Sequence, residues 1–464
     1  MLERGAAALF LDPGLGKTSI TAAALKVLRR DGQLRAALVI APLRVAKLVW
    51  PAEFAKWADF NELSVGVIHG DHKMKVVQQD HDVYVTNHAT IPWLFTRTKV
   101  GKVWKYHPTE AGKILMDKCN VLVLDELSKF KHTDTQRFKL IKPHLRKFDR
   151  RYGLTGSPAS NGLLDLFGQC YVLDEGRSLG PYVTHYREQY FAPVDKSGFT
   201  YRIKHGAEEL IYDRIRPLAL RMAAEDYIEL PTLNTMPIKM DLPPKVRQHY
   251  EDVENNFLTM LSDGELLTTP NSASAKMMLR QMCSGAVYKG VVDPITGLPR
   301  AGKREWVHMH DEKLDALEDL LDELQGQQLL IGYDFQHDLE RIQKRFPDIP
   351  RMGKSDKEDA RLEAAWNAGD LPYMLGHPGS VGHGLNLQAS SAYNIAWFTM
   401  TWDYELYDQF NRRLRRSGNT AKMVNCYQFM MRDTVEESLV AWLLRSKKKT
   451  QDSLLDALKS RARV

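Results

Sequence analysis

Leu9-Phe10-Leu11-Asp12-Pro13-Gly14-Leu15-Gly16-Lys17-Thr18-Ser19-Ile20 is an apolar run, then a turn with two glycines, then a Lys-Thr pair that opens the alanine-rich segment from Thr21 to Leu28. The run has the composition of a buried strand, and the alanines that follow read as a helix. A strand that turns on glycines into a helix makes a phosphate cradle. Glycines let backbone N–H groups crowd a polyphosphate, and the helix N-terminus faces the anion. In such a cradle Gly14, Leu15, Gly16, Lys17, Thr18 and Ser19 bind the nucleotide, Lys17 reaches the β and γ oxygens, and Thr18 can ligate Mg²⁺. The strict pattern wants glycine where Leu11 stands, and an ordinary strand-to-helix turn shares the remaining features, so the loop needs a partner.

Val121-Leu122-Val123-Leu124-Asp125-Glu126 supplies one, a buried strand ending in two carboxylates. Asp125 would hold Mg²⁺, often through water, and Glu126 would polarise the attacking water. By itself a strand ending in Asp-Glu is commonplace and solvated, but behind the Lys17 loop it reads as a Walker B element. Far downstream stands Gln409-Phe410-Asn411-Arg412-Arg413-Leu414-Arg415-Arg416-Ser417-Gly418. In isolation this would be a solvated basic helix face. Arginines spaced three apart share one face, so Arg413 and Arg416 can point together at a triphosphate. No Asn/Thr-Lys-x-Asp guanine motif is present, and a small kinase would not need a second lobe with motifs of its own.

Between these landmarks the first third alternates strand-like and helix-like pieces: Ala7–Leu11, a helix to Arg30, Ala36–Ala41, a helix from Ala46 to Trp57, Val83–Thr86 and Val121–Leu124. That rhythm predicts an α/β fold with a parallel sheet, whose ligands sit beyond the carboxyl ends of the strands. Residues 1–181 form the first lobe on this reading. From 182 to 304 the texture becomes polar and amphipathic, with turns at 195–198 and 293–299, and predicts mainly helical insertion and connecting material. The rhythm resumes over 305–464 with a helix at 311–325 and strands at 328–333, 373–375, 393–398 and 424–429. Trp50, Trp57, Trp366 and Trp402 fall on apolar faces or element ends and read as core.

The composition agrees with a soluble globular protein: of 464 residues, 44% are apolar and 26% charged. No apolar run reaches the roughly 18 residues that cross a bilayer. The cysteines, Cys119, Cys170, Cys283 and Cys426, are far apart without metal-ligand spacing, which predicts a reduced, cytoplasmic setting. The net charge of +6 leans toward a polyanionic partner, and the basic stretch at 445–449 reads as cations solvated near a helix end.

Taken in order, these motifs resemble those of the Swi/Snf-type helicase-like ATPases of helicase superfamily two, particularly compact phage-encoded, DEAD/DEAH-like members. Gly14 to Thr18 is similar to motif I, Ala41-Pro42-Leu43 to motif Ia, and Val85-Thr86-Asn87-His88 to motif Ib. Asp125-Glu126-Leu127-Ser128 with Phe130-Lys131 resembles motif II, and Leu154-Thr155-Gly156-Ser157-Pro158 resembles motif III, trailed by Asn161 to Phe167. Leu330-Ile331-Gly332-Tyr333 resembles motif IV, Gly382-His383-Gly384-Leu385-Asn386-Leu387 motif V, and Gln409 to Gly418 motif VI.

The resemblance implies two RecA-like parallel-sheet lobes with helical insertions, ATP and Mg²⁺ as ligands, and DNA, bound largely without regard to sequence, as partner. It implies that Lys17, Thr18, Asp125 and Glu126 bind and hydrolyse ATP, that Gln409, Arg413 and Arg416 close the site from the second lobe, and that Pro42, Thr86, Asn87 and Tyr333 touch the nucleic-acid backbone. Thr155, Gly156 and Ser157 would couple the two sites; their other reading is a hydrogen-bonded turn.

Three departures stand out. Ser128 occupies a position often held by histidine, which questions the usual contact from motif II to motif III. His377-Pro378-Gly379 replaces a Ser-Thr-Arg-like start of motif V. An adenine-reading glutamine motif should precede Gly14 by tens of residues, and only thirteen are present, so the chain reads as truncated or as relaxed in base selection. The activity expected is a DNA-stimulated ATPase that ratchets along nucleic acid. The alternatives are a strand-separating helicase on DNA or RNA, and a nucleotide-dependent binding or remodelling module with weak hydrolysis. No stretch of the sequence names a strand-splitting pin.

Overall fold

The computed structural model describes residues 1–159, 162–193, 201–227, 229–262, 270–289, 305–381, 385–390 and 392–437. The expected α/β fold with two parallel sheets is present. Its early strands are β1 (Ala6–Leu11), β2 (Ala37–Ala41), β3 (Val65–Val67), β4 (Val83–Asn87), β5 (Phe95–Val100), β6 (Val103–Pro108), β7 (Val121–Asp125) and β8 (Arg150–Thr155). The first sheet runs in the order Ala219–Met222, β1, β8, β7, β2, β4, β3, and every pairing is parallel. β5 and β6 stand apart as an antiparallel hairpin.

Parallel sheets are covered on both faces, which is why these strands read as unbroken apolar runs. In β1, Ala8 and Phe10 enter one core while Ala7, Leu9 and Leu11 enter the other. Helix α1 (Lys17–Arg30) buries Thr21, Ala22, Ala24, Leu25 and Leu28, the one-face spacing of an amphipathic helix, and ends in Arg29 and Arg30, whose charge suits its C-terminus. The segment expected to be helical from Ala46 opens instead as a π-turn at Val45–Val49 and becomes α-helical at Trp50–Lys56. An extra residue in that turn shifts the face on which Trp50 points.

The second sheet runs Thr232–Met240, Met423–Met431, Asn394–Trp397, Leu329–Gly332, Tyr373–Gly376, again all parallel. The helix Glu312–Leu324 lays Leu314, Leu317, Leu320, Leu321 and Leu324 into its core.

The two compact units divide within the stretch 182–304. One compact unit contains Met1–Ala192 and Tyr201–Glu229, and the other takes up the chain from Leu230. Ala219–Met222 completes the edge of the first sheet and Thr232–Met240 the edge of the second. Edge strands carry polar residues toward solvent, so their pattern is weaker than that of the central strands. The helices Pro244–Ser262 and Pro270–Ser284 keep the helical character expected there. The turns at 195–198 and 293–299, Asn161, the segment 382–384 and the basic stretch 445–449 lie outside the described residues. No helix among the described residues is long and apolar enough to cross a membrane.

Candidate nucleotide site

Every motif of the first unit sits at the carboxyl edge of its sheet. β1 ends at Leu11, and the loop turns on Gly14 (φ +93°) and Gly16 (φ +72°), conformations that side chains rarely adopt. Gly16 is also the N-cap of α1, and no side chain caps the helix, which leaves the first-turn amides for an anion. Lys17 Nζ reaches back across the loop to Leu11 O (2.8 Å) and Asp12 O (3.3 Å). Thr18 stands half-buried beside it in the first turn. Ser19 Oγ donates instead to Glu53, which also accepts from Trp57 Nε1 at 2.7 Å.

Asp12, unremarked in the sequence, anchors the loop. It is 2% exposed, its Oδ1 pairs with Arg221 Nη1 at 2.9 Å, and its Oδ2 accepts from Ala224 N at 3.0 Å. The same Arg221 nitrogen donates to Phe10 O and Met222 O, so the edge strand grips the end of β1. The signal available in the sequence was only an aspartate beside Pro13 and an arginine inside an apolar tetrapeptide, more than 200 residues apart, and no local rule joins them.

Asp125 and Glu126 close β7, one strand removed from β1. Asp125 Oδ1 accepts from Glu126 N (3.0 Å) and Oδ2 from Trp50 Nε1 (2.9 Å). Burial raises its pKa to about 6; the Trp50 hydrogen bond and Lys17 work against that rise. Trp50 is fully buried, as expected of core, but its indole N–H orients the Asp125 carboxylate, a role its apolar surroundings gave no hint of.

 Trp366 is likewise buried, Trp402 is half-buried, and Trp57 is 45% exposed and not core.

Glu126 adopts a left-handed backbone (φ +58°), rare for a residue with a side chain, and one oxygen of its carboxylate is held by two hydroxyls. Oε1 accepts from Ser128 Oγ at 2.9 Å and from Thr155 Oγ1 at 3.3 Å, and Thr155 Oγ1 accepts in turn from Ser157 N at 3.2 Å. Serine at 128 therefore keeps a link from motif II to motif III, made through Glu126. A Cβ at Gly156 would come within 3.3 Å of Pro13 and 3.4 Å of Leu11 O, so this turn lies directly against the phosphate loop. Mg²⁺ takes hard oxygen ligands, and the Thr18 hydroxyl and Asp125 carboxylate are of that kind. Burial, which raises the pKa of Asp125, disfavours its charge unless a cation compensates, and that fits a cation site.

The four residues expected on nucleic acid differ in access. Pro42 is half-buried, and its carbonyl accepts from Ala46 N to open the π-turn. Asn87 is half-buried and caps the next turn through Thr90 N at 3.0 Å. Thr86 is 1% exposed with its hydroxyl donated to Ile68 O, and Tyr333 is 4% exposed beside His377. Burial removes those two side chains from direct contact with a polyanion.

In the second unit the arginine-dense segment is not one helix. Tyr404–Asn411 ends before it, because Arg413 Nε occupies the Gln409 carbonyl that would have continued the ladder, and Arg413 N bonds Phe410 O. Arg413 is 7% exposed and donates Nη1 to Leu385 O at 2.7 Å. Arg416 lies in the following turn, half-buried, with Asn386 Oδ1 at 3.3 Å. Gln409 is 7% exposed and donates to Glu405 at 3.3 Å, while its Oε1 has no hydrogen-bond partner among the described residues.

Residues 3–286 match the model of the SNF2-related domain. The chain is 30% identical over 460 residues to putative protein p41 of Acyrthosiphon pisum secondary endosymbiont phage 1, covering 96% of this chain and 93% of that one. It is 22% identical to the CHD3-type chromatin-remodeling factor PICKLE of Arabidopsis thaliana, across 92% of this chain but only 31% of the plant protein. The Sulfolobus solfataricus SWI2/SNF2 ATPase core, solved in complex with dsDNA, aligns with 97% of this chain and 89% of its own at 22% identity and a TM-score of 0.40.

Proposed function

Because this chain belongs to the SNF2-related family of helicase superfamily two ATPases, we propose that it hydrolyses ATP with Mg²⁺ when bound to DNA and uses the cycle to move along it. The observation that carries this reading is the Glu126 carboxylate, held by Ser128 and Thr155 beside Asp125. A carboxylate fixed there can orient and polarise water for attack on the γ-phosphate. Lys17 exchanges the Leu11 and Asp12 carbonyls for phosphate oxygens, and the Gly14 to Ser19 backbone cradles them. Thr18 and Asp125 would hold Mg²⁺, which would supply neutralisation of the phosphate charge.

Coupling falls to Thr155, Gly156 and Ser157, since that turn touches both Glu126 and the phosphate loop. Arg416 is the better choice for the finger on the transferred phosphoryl, because Arg413 is committed to Leu385 O and serves to hold the segment with Gln409. Pro42 and Asn87 meet the DNA backbone, while Thr86, buried next to Asn87, holds the end of that strand through Ile68 O, and Tyr333, buried in the second unit, makes no direct contact. Contacts of this kind go to phosphates and are largely blind to sequence. The four thiols are free and buried, in keeping with a reducing cytoplasm.

Steady-state hydrolysis with and without duplex DNA, followed by triplex displacement, tests the proposal. Lys17→Ala should abolish hydrolysis with the fold intact, and Glu126→Gln should retain bound ATP without turnover. Arg416→Ala should slow single-turnover hydrolysis by roughly 10³ to 10⁵ with little change in ATP affinity. Parental activity in the Lys17 variant, or displacement without any ATP requirement, would overturn the assignment.

A further inference from the structure

The hairpin of β5 and β6 interrupts the crossover from β4 to β7 and belongs to neither sheet. An isolated two-stranded ribbon is marginal in water, so its root has to be held. Phe95 is 1% exposed and stacks on His144 with centroids 4.8 Å apart and planes 16° apart. Thr109 Oγ1 donates to Trp93 O at 2.8 Å and Leu94 O at 3.1 Å, and Thr109 N adds a third bond to Leu94 O. Gly112 approaches Leu94 O so closely that a Cβ there would stand 2.0 Å away. The ribbon thus projects from a fixed base.

Its far end has an unusual composition. Gly101, at φ +63°, and Lys102 form a two-residue turn between Val100 and Val103. From Phe95 to Pro108 there is no Asp or Glu, while Arg97, Lys99, Lys102 and Lys105 are all exposed. Among these cations Val100, Val103 and Trp104 are 52%, 64% and 44% exposed. The register pairs Lys99 with Trp104 and Arg97 with Tyr106, which puts both cations on the indole's face of the ribbon. The Arg97 guanidinium lies 4.2 Å from the centre of the Trp104 ring and Lys99 Nζ 6.0 Å from it.

We infer that this hairpin is a nucleic-acid contact that engages unpaired bases where duplex meets single strand, with Trp104 as stacking platform and Arg97, Lys99, Lys102 and Lys105 on the flanking phosphates. The inference rests on the DNA-dependent activity proposed above. Charge complementarity selects a polyanion, and the apolar tip selects the kind. An intact duplex hides the faces of its bases, so Val100, Val103 and Trp104 gain nothing from it, whereas an unpaired base offers a π-face to the indole. The sequence carried a usable signal, a Gly-containing pair between two short alternating runs of β-formers and cations.

The test compares the full chain and its Trp104→Ala, Trp104→Phe and Lys99→Gln/Lys102→Gln/Lys105→Gln variants on a blunt duplex and on a fork with the same duplex length and two single-stranded arms. The expected result is tighter binding of the parent to the fork, and a loss of about tenfold in fork affinity for Trp104→Ala, in line with the stacking contribution of one base. Trp104→Phe should recover most of that loss, and duplex-stimulated hydrolysis should stay at the parental level in all Trp104 variants. The triple glutamine variant should lower the salt slope of fork binding. A 2-aminopurine placed in the first unpaired position should lose fluorescence with the parent and keep it with Trp104→Ala. Equal fork and duplex affinity in the parent, or unchanged fork binding in Trp104→Ala, overturns the inference and marks the tip as a docking surface for protein. If no DNA stimulates the parent, the proposed function itself fails, and the inference falls with it.

Discussion

Trp50 shows how a residue chosen for bulk can carry chemistry. Its ring fills the core under β2 and β7 while its N–H fixes one oxygen of Asp125. Trp50→Phe keeps most of the apolar volume and removes the hydrogen bond, so on the Mg²⁺ role proposed for Asp125 the concentration needed for half-maximal hydrolysis should rise roughly tenfold. A Mg²⁺ titration of the variant checks this, and an unchanged midpoint would show that Asp125 needs no such support.

His310 offers a residue-scale test of stability. It is 5% exposed, its Nε2 must carry the proton because it donates to Met282 O at 2.8 Å, and burial lowers its pKa to about 4 from an ordinary 6.5. Above pH 6.5 the ring is neutral in both states and its contribution is intact. As pH falls from 6.5 toward 4 the unfolded chain takes up a proton that the folded ring refuses, and stability drops by as much as about 3 kcal/mol. Denaturant melts at pH 7.5 and pH 4.5 should show a smaller pH effect for His310→Gln than for the parent. An equal pH effect in both would assign the loss to other groups.

At the scale of elements, the phosphate loop depends on a strand distant in sequence. Asp12 and Arg221 form an ion pair buried on both sides, with side chains 3% and 5% exposed. Removing one partner strands a charge in the interior, so Arg221→Met should cost about 3–5 kcal/mol. Adding Asp12→Asn to it should return part of that loss, and a double-mutant cycle by denaturant unfolding measures the coupling. Additive effects would show that the two side chains act independently. The hairpin and the segment after Asn411 make a related point: a side chain on a backbone carbonyl, Arg413 on Gln409 O, ends a helix where helical periodicity alone would continue it.

Across the whole molecule the described residues hold separate apolar cores around each sheet, those around β1 in the first unit and those around Leu329–Gly332 in the second. Two units with cores of their own need not unfold together. Calorimetry should resolve two transitions, and a non-hydrolysed ATP analogue with Mg²⁺ should raise the one that belongs to the first unit, by about 2.7 kcal/mol at a hundred times its dissociation constant. A single transition that moves as one would show the units to be thermodynamically coupled.

The central strands were legible because a sheet covered on both faces demands unbroken apolar runs, and β1, β2, β4 and β7 fall within a residue or two of where those runs lie. The glycines of the phosphate loop and the carboxylates after β7 were legible for a similar reason: their backbone conformations and their place at strand ends are local properties. The edge strands at Ala219–Met222 and Thr232–Met240 were not, since an edge needs only one partner and its pattern fades. Nor could local reading bring Trp50 to Asp125, Arg221 to Asp12 or Thr155 to Glu126, or bury Thr86 and Tyr333. Hydrogen bonds and ion pairs between distant segments leave no periodicity in the chain, so the sequence determined which residues could do chemistry, and the tertiary structure alone decided which of them meet.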